Sequence, residues 1–269
     1  MTNQRPSCMQ GQLFLTGRMR AGRFKTRIRH SMAELKYKRI LLKVSGEALM
    51  GEQSFGIDQS VIERVATDIE NARALGAEIC VVIGGGNIFR GVSVAAQGGD
   101  RVVGDHMGML ATVMNCLAMS SALNAKGIPA VPMSAIAMPE VCESFTQRGA
   151  KAHLADGKVV LFAAGTGCPF FTTDSGAALR AAEMQCDALL KGTQVDGIYS
   201  ADPKIVPDAI RYDTITHADM LKQGLKVMDA AAIALAQDGN IPIIVFSLHE
   251  PDGLVEILQG RGRCTVVSD

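Results

Sequence analysis

Three short apolar runs in this chain end in glycine and carry residues suited to holding an anion. They are Ile40-Leu41-Leu42-Lys43-Val44-Ser45-Gly46, Ile79-Cys80-Val81-Val82-Ile83-Gly84-Gly85-Gly86-Asn87, and Val159-Val160-Leu161-Phe162-Ala163-Ala164-Gly165-Thr166-Gly167. Glycine lets backbone N–H groups close on oxyanions with no Cβ in the way. The runs read as buried strands, and the ends of strands in an open α/β sheet are where ligands bind. Lys43 lies inside the first run and Arg90 follows the second. Three such turns with two cations predict two phosphorylated ligands meeting at one sheet edge.

The chemistry narrows residue by residue. Gly-Lys occurs only at Gly157-Lys158, followed by Val159, so no P-loop is present. Gly84-Gly85-Gly86-Asn87-Ile88-Phe89 and Gly165-Thr166-Gly167-Cys168-Pro169-Phe170 both end in Phe where a dinucleotide fingerprint needs Gly. Lys43 in an otherwise apolar strand must reach solvent or an anion, because an unpaired buried charge is costly. The planar fork of Arg90 suits phosphate oxygens. Asp174 begins a helix, where it either caps the helix or orients Lys43 or a metal. Asp105 opens a long helix and either caps it or accepts hydrogen bonds from sugar hydroxyls. Phe170 and Phe171 read as packing residues, with one able to lie against a base or sugar. Phosphoryl transfer needs alignment and positive charge around the moving group. Glycine amides, one Lys, one Arg and Mg²⁺ suffice for that.

These residues need elements to carry them. The chain has 269 residues, 48% of them hydrophobic but only 4% aromatic with no Trp, so its core is aliphatic and suits strands covered on both faces. From Lys38 onward strands and helices alternate. Ser60-Val61-Ile62-Glu63 has capping-box spacing and opens a helix whose apolar face is Ile62, Val65, Ile69 and Ala72, ending at Gly76. Residues 105–126 read as a long helix, with Met107, Leu110, Met114, Leu117 and Ser121 at helical spacing, a stripe that points to core or a subunit interface. Ile128–Met133 reads as a strand, 140–155 as a helix with a connection, and 174–185 as a helix capped by Thr173 or Asp174. Ala188-Leu189-Leu190 reads as a buried strand and Lys191–Asp213 as a polar, turn-rich stretch. A helix at 228–238 and strands at Ile241–Phe246 and Cys264–Val267 complete a single α/β unit over 32–269.

Charge and cysteine usage exclude other classes. Residues 1–31 hold seven Arg or Lys and no acid, leaving 20 basic against 27 acidic side chains in the rest. An acidic body argues against a general nucleic-acid binder. The basic extension reads as a tail, a transit-like presequence, or sequence upstream of a start at Met32, the last being favoured. Seven Cys with no CxxC pair read as single thiols in a reducing cytoplasm, and the five His show no HExxH spacing. No apolar stretch reaches the roughly 18 residues of a membrane span.

The strings Lys43-Val44-Ser45-Gly46-Glu47-Ala48-Leu49, Gly84-Gly85-Gly86-Asn87-Ile88-Phe89-Arg90-Gly91, Asp105-His106-Met107-Gly108-Met109, Gly165 through Asp174, and Lys191 through Pro203 together resemble the amino-acid-kinase superfamily and, within it, the bacterial uridylate (UMP) kinase family. The resemblance runs from about Lys38 to the C-terminus. It implies a three-layer αβα sandwich with a mostly parallel central sheet, a homohexamer, and the reaction of ATP with UMP, with Mg²⁺. It implies that Lys43, Val44, Ser45, Gly46, Gly86 and Arg90 hold ATP phosphates and that Thr193, Tyr199 and Asp202 hold the adenosine part. It implies that Gly85, Asp105 and Thr166, Gly167, Cys168, Pro169, Phe170, Phe171, Thr172 and Thr173 hold UMP. Asp174 would be the organising carboxylate beside Lys43, so Lys43, Arg90 and Asp174 form the implied catalytic set, with no protein ligand to the metal. The loop Gly51, Glu52, Gln53, Ser54, Phe55 and Gly56 would belong to a GTP-activation region, and UTP would inhibit. Residues 1–31 have no counterpart in the family pattern. Cys168 stands where the family often has Asn, and a thiol hydrogen-bonds more weakly than an amide. A relative phosphorylating a carboxylate, and a non-catalytic nucleotide binder, are the alternatives. The first would need cations in its acceptor site, where this chain has Asp105 and a Thr-rich loop. The second would lack Lys43, Arg90 or Asp174, all of which are present.

Overall fold

A computed structural model describes residues 35–89, 98–203, 205–225 and 227–269. Arg90 and the basic extension 1–31 lie outside the described residues. In chain order the elements are β1 (Arg39–Val44), a 3₁₀ turn (Gly46–Met50), α1 (Gln59–Ala74), β2 (Glu78–Ile83), α2 (Arg101–Ala125), β3 (Ala130–Ser134), β4 (Glu143–Ser144), α3 (Gln147–Ala155) and β5 (Val159–Ala163). There follow α4 (Thr173–Met184), β6 (Ala188–Thr193), β7 (Ile198–Tyr199), β8 (Arg211–Tyr212), β9 (Thr214–Ile215), α5 (His217–Lys222), α6 (Ala230–Asp238), β10 (Ile243–Ser247), α7 (Gly253–Leu258) and β11 (Cys264–Val267).

Among the described residues one sheet runs in the order β4-β3-β5-β2-β1-β6-β10-β11-β9. Its pairs are parallel except β10 with β11. The sheet is therefore the mostly parallel one that the family resemblance implies. The period of two in each strand sends alternate residues to opposite faces. Ile40, Leu42 and Val44 of β1 join one apolar cluster, with α1, α2 and α7. Leu41 joins the other, with α3, α4 and α6. By the same parity Lys43 belongs on the α4 face. The three glycine turns close β1, β2 and β5, which are neighbours in the sheet, so they meet at one edge.

The structure corrects several sequence expectations. The cap of α1 is Asp58, whose Oδ1 accepts from the Ser60 N–H; the Ser60–Glu63 capping box does not form. Asp100, not Asp105, caps α2, and the helix begins at Arg101, so Asp105 stands a turn inside it, where its side chain accepts from Arg101 and from the Phe170 N–H. Thr172 caps α4, leaving Asp174 in the first turn. The strand β6 continues through Lys191 to Thr193, so the turn-rich stretch starts later than expected, and it contains the ribbon β7–β8.

The methionine stripe of α2 is mostly not core, although Leu117 packs against the core. Met107, Leu110 and Met114 face outward, about half exposed, while Met109, Val113, Cys116 and Met119 pack inward. The helix thus has two apolar faces. By length and composition alone its 25 residues are long and apolar enough to cross a bilayer, which corrects the expectation that no stretch is. In the fold it is a layer helix: it lies against β3 and β5, and its inner face carries buried Thr112 and Asn115.

Candidate active site

Two lysines stand side by side at the C-terminal end of the sheet. Lys43 of β1 and Lys191 of β6 are direct partners in the parallel register. Both are buried, and they share the face covered by α4. Like charges on facing residues repel, so something must bridge them. The bridge is Asp174, in the first turn of α4. Lys43 Nζ is 2.8 Å from its Oδ1 and Lys191 Nζ is 2.7 Å from its Oδ2. Lys191 also donates to the Val227 carbonyl. The Lys43 contact is an ion pair without hydrogen-bond alignment, which leaves Oδ1 a buried acceptor lacking an aligned donor.

The electrostatics follow. Burial pushes the Asp174 carboxyl up, but the Lys43 and Lys191 ammonium groups outweigh it and hold it below its ordinary value. Burial pulls the Lys191 ammonium down, the like charge of Lys43 adds to that, and Asp174 offsets part, leaving it at about 8. With both lysines charged the trio carries a net positive charge in a poorly solvated site, which an arriving phosphate would neutralise.

The glycine turns and the start of α4 surround this trio. Thr172 Oγ1 accepts from the Asp174 N–H, and the N-terminal end of α4, positive in its dipole, opens toward the turns. A Cβ on Gly46 would lie 2.4 Å from the Gly84 carbonyl oxygen and 2.7 Å from Asn87 Oδ1, so the first two turns touch where only glycine fits. Gly46→Ala is therefore expected to lower unfolding stability by about 1–3 kcal/mol, the cost of overpacking, and to lower nucleotide affinity. Urea unfolding and calorimetry of the variant check both.

Two hollows open on either side. The larger is a cavity of about 720 Å³ beside Lys43 and Lys191, with Ser45, Thr193, Tyr199 and Asp202 on its walls. That is within the usual range for a small-molecule site. Tyr199 is fixed there by donating its hydroxyl to Asp196 Oδ1 at 2.6 Å. The smaller hollow is lined by Gly85, Gly86, Asp105, Thr166, Cys168 and Phe171, together with Thr172 and Thr173. Gly86 thus faces the smaller hollow, on the opposite side from the other residues expected to hold ATP. Val44 is the buried end of β1 between the two.

In the smaller hollow Arg101 Nε bonds both oxygens of Asp105, at 2.8 and 2.9 Å, and Asp105 Oδ2 accepts from the Phe170 N–H at 2.8 Å. Burial raises the Asp105 carboxyl, but these two partners hold it below its usual range. Phe170 has φ of 71° and, like Phe171, is exposed rather than packed, correcting the expectation for both. Gly167, at φ 80°, turns the loop against Ala135, ahead of Pro169. The Cys168 backbone bonds to Thr166: its N–H donates to Thr166 Oγ1, which donates back to the Cys168 carbonyl. The loop from Gly51 to Gly56 is mostly exposed, and its end meets the second glycine turn.

The sequence reading passed over Lys191 and Asp229. Asp229 caps α6 through the Ala232 N–H and also accepts from Thr172 and Ser175, tying α6 to the start of α4. Among the described residues no three His, Cys, Asp or Glu side chains converge as a metal cluster would.

Comparison with known proteins adds to the geometry. The amino acid kinase family model matches residues 38–247. The chain is 69% identical over 233 residues to a uridylate kinase of Brucella anthropi, covering 87% of this chain and 97% of that one. It is 65% identical over the same length to a uridylate kinase of Sinorhizobium medicae, with the same coverage. Among solved structures, UMP kinase from Bacillus anthracis superposes with a TM-score of 0.83 at 38% identity, over 87% of this chain and 96% of that one. UMP kinase from Ureaplasma parvum gives 0.82 at 40% identity, over 87% and 100%.

Proposed function

Since the chain belongs to the amino acid kinase family, we propose that it transfers the γ-phosphoryl group of ATP to UMP, giving ADP and UDP, a step of pyrimidine nucleotide synthesis. The observation that carries the reading is the Lys43–Asp174–Lys191 trio between two hollows, in a chain so close to uridylate kinases. ATP occupies the larger cavity, with its adenosine along Thr193, Tyr199 and Asp202 and its phosphates toward Lys43, Ser45 and Gly46. Arg90, which follows the second turn in sequence, adds charge to the phosphates. UMP occupies the smaller hollow, with its phosphate against Gly85 and its sugar and base toward Asp105 and the loop Thr166–Thr173.

An oxygen of the UMP phosphate attacks the γ-phosphorus, and the bond from that phosphorus to the β-bridging oxygen breaks, leaving the bridging oxygen on ADP. The attacking oxygen is already anionic, so no general base is required. Asp174 fits that absence: held by two ammonium groups, it is a poor base and a good organiser. The lysines and the glycine amides stabilise charge spread over the moving phosphoryl group. Mg²⁺ enters with ATP as part of the substrate, supplying further positive charge; no protein ligand is assigned to it.

ADP release with MgATP and separate acceptors (UMP, CMP, AMP, aspartate, acetylglutamate) tests the reading. Turnover confined to UMP is expected. Turnover only with a carboxylate acceptor would replace it with the carboxylate-kinase alternative, and none with any acceptor would favour a nucleotide binder.

Lys191 gives this function a pH signature. The free site loses a positive charge as pH rises through about 8, so kcat/KM for ATP is expected to fall above that pH, because this ratio reports the free enzyme. Lys191→Met is expected to lower kcat/KM roughly tenfold to a hundredfold and to remove the inflection. A pH–rate profile of both chains checks this.

The finer properties implied by the resemblance belong to the same proposal. The chain assembles as a homohexamer, and the outward stripe of Met107, Leu110 and Met114 supplies apolar surface for self-association. Leu110→Glu is expected to shift sedimentation toward smaller species. GTP activates, acting near Gly51–Gly56, and UTP inhibits. A cytoplasmic location fits the free thiols among the described residues.

A further inference from the structure

Two buried asparagines from different elements meet beneath the second glycine turn. Asn87 follows the turn and Asn115 lies on the inner face of α2; both are almost wholly inaccessible. Their amides form a closed pair: Asn87 Nδ2 donates to Asn115 Oδ1 at 3.0 Å, and Asn115 Nδ2 donates to Asn87 Oδ1 at 2.7 Å. Each amide has a second N–H, and each sends it to a different piece of backbone. Asn115 donates to the Gly84 carbonyl at 2.6 Å, and Asn87 donates to the Gly56 carbonyl at 2.9 Å. The Asn87 backbone carbonyl in turn accepts from the Gly56 N–H at 2.9 Å. All four side-chain N–H donors are used.

We propose that the Asn87–Asn115 couple is a positioning element for phosphoryl transfer, holding the second glycine turn at its working place and locking it to the end of the Gly51–Gly56 loop. Three contacts converge on Asn87. Its amide abuts Gly46 of the first turn, grips Gly56 of the loop, and is held by the amide that grips Gly84. One turn earlier on α2, Thr112 Oγ1 accepts from the Ala164 N–H at 2.8 Å, just ahead of the third glycine turn. The inner face of α2 therefore spaces the second turn from the third. Neither asparagine lines either hollow, so the couple acts through Gly84–Gly86. A buried amide pair of this kind is cooperative: removing one member leaves the other with unmet donors, so the pair behaves as a unit.

The kinetic part rests on the proposed UMP kinase reaction; the part about backbone order does not. The test compares the full chain with Asn87→Ala, Asn115→Ala, the double variant and Asn115→Asp, which keeps the shape but loses the donors. Each single variant is expected to lower kcat with MgATP and UMP at least tenfold, since small misplacements of reacting groups have effects of that size. ADP affinity, which reads the larger cavity, stays within threefold. The double variant is no more than twofold worse than the poorer single one. Hydrogen exchange of the Gly56, Ile88 and Phe89 amides speeds up in every variant, while amides of β1 and β6 do not change. A folded single variant with kcat within twofold of the parent, or losses that multiply in the double variant, overturns the proposal. If the parent chain itself turns over no UMP, the functional reading fails, and exchange alone decides: joint loss of protection supports the couple and unchanged protection overturns it. If the alanine variants do not fold, exchange in the parent decides, since one opening must expose Gly56 and Ile88 at a common rate, and independent rates overturn it.

Discussion

Asp174→Asn is expected to cost roughly a thousandfold in turnover in a chain that keeps its fold. Asparagine has the shape of aspartate but not its charge, and the charge is what two lysines share. Without it Lys43 and Lys191, paired across adjacent strands, face each other as buried like charges. Lys191, whose ammonium burial already disfavours, then sheds its proton more readily, and the site loses its grip on the γ-phosphoryl group. Breaking a buried ion pair by removing one partner typically costs about 3–5 kcal/mol. Here the sign of its pH dependence is fixed. Asp174 is one of the groups that keeps the Lys191 ammonium from falling further below its ordinary value. In the variant Lys191 therefore loses its proton more readily, so the destabilisation is largest in mildly acid solution, shrinks as pH rises through and above neutrality, and also vanishes at strongly acid pH, where the parent's Asp174 takes up a proton. Urea unfolding at several pH values, beside turnover at each, measures both effects.

Lys43→Met has a comparable effect on turnover, roughly a hundredfold to a thousandfold, with the opposite consequence for stability. Removing one of two buried ammonium groups leaves Lys191 and Asp174 as a one-to-one pair, so unfolding stability is expected to hold or rise. After burial, the like charge of Lys43 is the next reason the Lys191 ammonium titrates early. With it gone, the Lys191 value rises, and any residual activity no longer declines near pH 8. A variant that lost activity through misfolding would lose stability as well and keep no such profile. Circular dichroism melting and the pH dependence of residual turnover separate the two cases.

Much of this site is legible in the chain because buried strands leave little room for charge. Lys43 stands out inside an apolar run, and the three glycine-ended runs locate the edge where β1, β2 and β5 finish together. Lys191 obeys the same rule: Ala188-Leu189-Leu190-Lys191-Gly192 is another apolar run ending in Lys and Gly. It escaped because the polar residues after it made the strand read as ending at Leu190, three residues before its end at Thr193. The caps were misplaced by a few residues for a local reason. Asp58, Asp100 and Thr172 each stand just ahead of another residue able to cap, and only backbone geometry chooses between them. In α2 a helical period marks an apolar stripe without saying which stripe faces the sheet, and that helix has two. The Asn87–Asn115 couple joins residues 28 positions apart, and no local pattern announces such a pair. The shared carboxylate of Asp174 is likewise a product of register: it depends on β1 and β6 being neighbours.

The most direct measurement follows the phosphorus itself. The full chain is incubated with Mg²⁺, UMP and ATP labelled in its γ-phosphoryl group, in parallel with Asp174→Asn, and the label is traced by chromatography. The account predicts label in the terminal phosphate of UDP, formed in step with ADP, and almost none with the variant. Label appearing only in inorganic phosphate, or in UDP at equal rates from both chains, would contradict it.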